Sequence, residues 1–161
     1  PSARNVPGVR SAFVRSKNLD GVIVRIFNTY GPRMAKDGRV VINFVTASLE
    51  GTPLPVYGDG KQTRSFCCVS DMVEGLIAAM EKGEKGEIYN LGNSQEFTVL
   101  ELADKVRKLT NSRSDMEYHP LPEDDPKRRC PDITKAKQIL SWEPKVSLDD
   151  GLKKLIESKL L

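Results

Sequence analysis

Short β-branched runs alternate along the chain with stretches whose apolar residues recur at helical spacing. Val22-Ile23-Val24-Arg25-Ile26-Phe27 is apolar on both faces, as a buried parallel strand is. It stops at Asn28-Thr29-Tyr30-Gly31-Pro32, a turn composition. Val40, Val41, Phe44, Val45 and Leu49 predict a helix over 38–50, closed by Gly51. Thr52 to Tyr57 reads as a short extended piece, broken by Gly58-Asp59-Gly60, and Thr63 to Val69 as one further strand.

Ser70 is the expected N-cap of the next helix, whose stripe is Met72, Val73, Leu76, Ile77 and Met80. Asp71 reads as a carboxylate of that helix cap. Residues 87–91 predict a strand. Thr98 with Glu101 three residues on is a capping box, and Val99, Leu102, Ala103, Val106 and Leu109 form the stripe behind it. Asp115 to His119 suggests a short strand, 120–131 a proline-punctuated loop, and Ile133 to Leu140 a short helix. After the Trp142-Glu143-Pro144 turn, Ser147 caps a last helix carrying Leu148, Leu152, Leu155 and Ile156. Strands alternating with helices define the α/β class.

The 161 residues are enough for one domain with its own core, and 39% hydrophobic with 29% charged residues is a globular balance. No apolar stretch is long enough to span a bilayer, and the first ten residues lack the apolar core of a signal peptide. The net charge of +3 is spread over 25 basic and 22 acidic residues. Its one dense basic run, Lys127-Arg128-Arg129, follows Glu123-Asp124-Asp125, so no basic stripe for nucleic acid is present. A small anionic ligand fits this mild excess at least as well. Cys67, Cys68 and Cys130 have no disulfide or zinc spacing, and His119 is the only histidine. These features point to a reducing, cytoplasmic setting, with no metal. Neither G-x-G-x-x-G nor a P-loop is present to cradle a phosphate.

Arg25-Ile26-Phe27-Asn28-Thr29-Tyr30-Gly31-Pro32-Arg33-Met34 resembles the strand-to-loop segment of the extended short-chain dehydrogenase/reductases that act on nucleotide sugars. Asp37-Gly38-Arg39-Val40-Val41, the run from Val56 to Phe66, and Val69-Ser70-Asp71 extend the match. So do Tyr89-Asn90-Leu91-Gly92-Asn93, Asp124-Asp125-Pro126, Pro131-Asp132-Ile133 and Trp142-Glu143-Pro144. The Asp-Gly-Arg-Val-Val and Asp-Asp-Pro segments make it most similar to the UDP-glucuronate decarboxylases, which are also called UDP-xylose synthases.

The resemblance runs from about Leu19 to the C-terminus. It implies the end of a Rossmann-type domain plus the small substrate-binding domain over 19–161, with 1–18 an atypical or truncated start. It also implies NAD as cofactor and a homodimer for the whole enzyme. The activity implied is decarboxylation of UDP-glucuronate to UDP-xylose: hydride leaves sugar C4 to NAD, the 4-keto acid loses carbon dioxide, and hydride returns. The family's Tyr-x-x-x-Lys would fall just before Pro1 and near Ala3, and neither residue is there. The expectation is therefore an inactive segment, with no catalytic residue of its own, that grips the nucleotide sugar. A sibling 4,6-dehydratase or 4-epimerase, or a non-catalytic nucleotide-sugar module, shares most of these motifs.

Arg64 and Arg129 are the residues the resemblance assigns to the UDP diphosphate, and a planar guanidinium suits phosphate oxygens. Without the motifs each would pass for a solvated arginine. Asn28 and Thr29 follow a strand end, where α/β folds bind ligands, and are placed near the nicotinamide and sugar; Asn28 alone would suit turn geometry equally well. Arg39 is placed beside cofactor and sugar. Val41, Asn43 and Phe44 would line the nucleotide pocket, although Val41 and Phe44 are by default core. Tyr57 is either a stacking face for uracil or a packed strand tyrosine.

Overall fold

The computed structural model describes residues 16–123, 125–126 and 128–160. The reading of the first eighteen residues rests on 1–15 and so lies outside the described residues.

Among the described residues, nine short strands and the five helices named below follow one another. The strands are β1 (Ile23–Ile26), β2 (Thr29–Tyr30), β3 (Leu54–Tyr57), β4 (Thr63–Ser65), β5 (Cys67–Cys68), β6 (Ile88–Leu91), β7 (Glu96–Thr98), β8 (Met116–His119) and β9 (Arg128–Arg129). The helices are α1 (Val40–Glu50), α2 (Val69–Lys82), α3 (Val99–Thr110), α4 (Thr134–Leu140) and α5 (Leu148–Leu160). β1 pairs parallel with β6, β2 with β5, and β3 with β8. β4 lies between antiparallel β7 and parallel β9. Parallel pairing through helical crossovers is the arrangement that α/β alternation predicts.

Two cores result. α1, α3 and α5 close over β3 with Phe44, Val45, Leu54, Leu102, Val106 and Leu155 fully buried. α2 and α4 close over β6 with Met72, Tyr89, Leu91, Leu140 and Trp142. Each such side chain contributes about 1.5–3 kcal/mol by leaving water. Gly75 permits a close approach in the second core. A Cβ there would lie 2.8 Å from the Trp142 ring and 2.9 Å from Leu91.

Several sequence expectations hold and several need correction. The Thr98–Glu101 capping box forms in both directions, and Ser147 Oγ receives the Asp150 amide at the start of α5. The segment 63–69, by contrast, is not one strand. It breaks at Phe66, because β4 pairs with β7 and β9 whereas β5 pairs with β2. The turn expected at 28–32 contains β2, and the loop at 120–131 contains β9.

Ser70 is not the N-cap of α2. The helix starts two residues earlier, at Val69 after an extended Cys68, with no side-chain cap. Asp71 is not a cap carboxylate either. It is buried, and its Oδ2 accepts the amides of Lys145 (3.1 Å) and Val146 (2.9 Å) while its carbonyl accepts Trp142 Nε1. The helical period of α2 is right, but of the expected stripe only Met72 is buried. Asp71, Met72, Gly75 and Ala79 face the core, whereas Val73, Leu76, Ile77 and Met80 are exposed.

Candidate functional site

At Asn28 the chain changes partners. The Phe27 amide still bonds the Leu91 carbonyl of β6, whereas the Asn28 carbonyl already accepts the Cys67 amide of β5. Strands that diverge in this way leave a crevice beyond their carboxyl ends, where α/β folds bind ligands. Here the crevice is a cleft of about 430 Å³ bordered by Phe27, Asn28, Thr29, Arg39 and Arg129. A smaller recess of about 100 Å³ continues from it past Val41 to Arg64 and Phe66. The volume of the outer cleft is in the range of small-molecule sites.

Arg64 and Arg129 are opposite one another in the β4–β9 register. Side chains alternate faces along a strand, so paired positions share a face, about 4.8 Å apart across the ladder. Arg64, Phe97 and Arg129 thus share one face of the three-stranded sheet, while Thr63, Ser65, Glu96 and Arg128 occupy the other.

The arginines around the cleft differ in what they already hold. Arg64 is buried, donates to the Thr63 carbonyl, and pairs with Asp125 at 2.5 Å. Arg39 forks onto both oxygens of Asp37 and donates to the Thr29 carbonyl. Its guanidinium holds the Asp37 carboxyl below the usual carboxylate range. On the opposite face of the sheet, Arg128 forks onto Glu96. Arg129 is exposed and, among the described residues, has no carboxylate partner. Among the described residues it is thus a cation without a carboxylate partner at the mouth of the cleft.

The remaining expected site residues divide. Asn28 borders the cleft, with its amide nitrogen given to the Ser65 carbonyl, and the Thr29 hydroxyl is given to the Phe27 carbonyl. Val41 is both core and wall of the inner recess. The Phe44 ring is fully buried in the first core and borders neither cavity. Asn43 turns back to donate to the Gly38 carbonyl. Tyr57 borders neither cavity. It is half-exposed on β3 and packs on His119, with ring centroids 5.4 Å apart.

Sequence reasoning missed Asp125 as the partner of Arg64 and Glu96 as the partner of Arg128. An acidic loop with three carboxylates near three basic residues was visible, but 61 residues separate Arg64 from Asp125 and only the fold joins them. Among the described residues there is no cluster of metal-ligating side chains, and no helix is long and apolar enough to cross a membrane.

Residues 9–155 match the family model described as GDP-mannose 4,6 dehydratase. The chain belongs to that family. It is also 57% identical over 144 residues to UDP-glucuronic acid decarboxylase 2 of Arabidopsis thaliana, covering 89% of this chain and 32% of that protein. Family membership thus agrees with the extended short-chain dehydrogenase/reductase resemblance. UDP-glucose 4-epimerase of Thermotoga maritima, solved with UDP-glucose, superposes with a TM-score of 0.90 at 35% identity, over 96% of this chain and 50% of that one. UDP-glucuronic acid 4-epimerase of Bacillus cereus, in complex with UDP-glucuronic acid and NAD, superposes with 0.86 at 30% identity, over 93% and 49%. The chain spans about a third of the curated relative and half of each solved structure. Its fold is the Rossmann-type α/β fold of these family members.

Proposed function

We propose that this chain is the nucleotide-sugar-gripping part of a UDP-glucuronate decarboxylase, with the UDP diphosphate seated at Arg129 and Arg64. The observation that carries this reading is the register pairing of the two arginines on one sheet face above the cleft at Asn28. The identity to a UDP-glucuronic acid decarboxylase supports the choice of substrate. Two cations on adjacent strands suit two linked phosphates: Arg129 has no carboxylate partner among the described residues and can fork onto one, and Arg64, whose Nη1 and Nη2 already hold the Thr63 carbonyl and Asp125, offers the other its remaining N–H groups. Asn28, Thr29 and Arg39 would face the sugar, and Arg39 offers a positive charge to its carboxylate. In this reading the whole protein acts as a cytoplasmic homodimer on a UDP-sugar, without nucleic acid or membrane.

NAD is the cofactor that this reading gives the whole protein. The residues described here do not suffice to hold it. The sequence has no Gly-rich strand-to-helix turn to seat its pyrophosphate.

A sibling epimerase is the second reading, favoured by the two 4-epimerase structures that superpose on the chain. Calorimetric titration of the chain with UDP, UMP and uridine tests the diphosphate assignment. UDP should bind most tightly, and equal affinities for UDP and uridine would refute it. The decarboxylase and epimerase readings are separated by joining the chain to the N-terminal part of the Arabidopsis relative and supplying UDP-glucuronate. Release of carbon dioxide supports the first, and UDP-galacturonate formation the second.

A further inference from the structure

β9 is only two residues long, yet it carries Arg129. So short a strand has few ladder bonds to fix its register against β4. The opposite face of the sheet supplies what the ladder lacks. Glu96 on β7 accepts both Nε and Nη2 of Arg128, reaching across β4, and also accepts the Thr63 hydroxyl at 2.7 Å. One carboxylate therefore ties β7, β4 and β9 together. The Arg128 guanidinium, then the Thr63 hydroxyl, hold the Glu96 carboxyl below its ordinary range, so it is ionised at neutral pH.

We infer that Glu96 is a positioning residue for the anion site, holding Arg128 from behind so that Arg129, next in sequence and on the opposite face, stays beside Arg64. The inference rests on the diphosphate reading above. Glu96 itself touches no ligand, because it lies on the face away from the cleft.

A double-mutant cycle tests it. Glu96→Gln and Arg129→Ala should each weaken UDP binding to the chain by about tenfold, and the combined variant should bind no worse than Arg129→Ala alone. Arg128→Gln, at an exposed site, should reproduce the Glu96→Gln loss, and the swap Glu96→Arg with Arg128→Glu should recover part of it. Unchanged affinity in Glu96→Gln, or a combined loss equal to the product of the two, would overturn the inference. The diphosphate reading fails separately, if the unaltered chain does not bind UDP. Amide hydrogen exchange then judges the positioning alone. Glu96→Gln should accelerate exchange at residues 128 and 129 and leave α3 unchanged, and identical exchange at 128 and 129 would sink it.

Discussion

Arg64 and Arg129, 65 positions apart in sequence, stand directly opposite one another in the parallel β4–β9 ladder. They are not equivalent. Arg64 is buried and neutralised by Asp125, whereas Arg129 is exposed and has no carboxylate partner among the described residues. Asp125 and the Thr63 carbonyl hold the two terminal nitrogens of Arg64 in place.

Arg64→Ala should therefore weaken UDP binding by about 1.5–3 kcal/mol, the range for a hydrogen bond to a charged group. Arg64→Lys should recover only part of this, since an ammonium cannot reproduce the planar fork. Calorimetry on variants with matched thermal midpoints is the measurement, and unchanged affinity in Arg64→Ala would remove Arg64 from the site.

Asp71 joins the start of α2 to the Trp142–Val146 turn. Asp71→Ala leaves the amides of Lys145 and Val146 without their acceptor. The expected cost is about 1–3 kcal/mol of unfolding free energy in urea, the penalty for stranding buried donors. A loss well under that range would show that water replaces the carboxylate.

The thiols should separate by accessibility. Burial, then the charges of Asp71 and Cys68, push Cys67 up to about 12, and burial likewise raises Tyr30. A raised value means that the folded state keeps its proton more tightly than the unfolded chain. The associated stability is complete below the ordinary values of 9.0 and 10.0, and is lost as pH climbs through the folded values. The thermal midpoint should fall progressively above pH 9. At pH 8 a thiol reagent should label Cys130 first, with Cys67 and Cys68 reacting only on unfolding. Simultaneous labelling of all three in the native chain would contradict this.

Met80 is 77% exposed, Val73 48% and Ile77 46%, and together with Leu76 they form an apolar strip along α2. Exposed strips of this kind bind hydrophobic dyes. The chain should enhance ANS fluorescence, and Ile77→Lys with Met80→Glu should abolish most of that signal without lowering the thermal midpoint. A folded chain that leaves the dye dark would show the strip to be covered.

Legibility followed locality. The capping box at Thr98, the stripe of α3 and the turn glycines were readable because partners three or four residues apart decide them. Periodicity gives α2 its helical spacing, but of the expected stripe only Met72 faces the core. Periodicity reports that one side is apolar, but Gly75 and Ala79 present the small surface that Trp142 and β6 can approach. Phe44 and Tyr57 show the same limit from opposite directions. Both suited a pocket by residue type, yet the core took the first and an outer strand the second.

The order of elements, the α/β class and the nucleotide-sugar motifs are properties of the sequence alone, since each is carried by short windows of residues. Tertiary structure decided the pairing of Arg64 with Arg129, the neutralisation by Asp125 and the brace from Glu96. Those contacts join residues 32 to 65 positions apart, and a strand register, set by the packing of the whole sheet, is what brings them within reach.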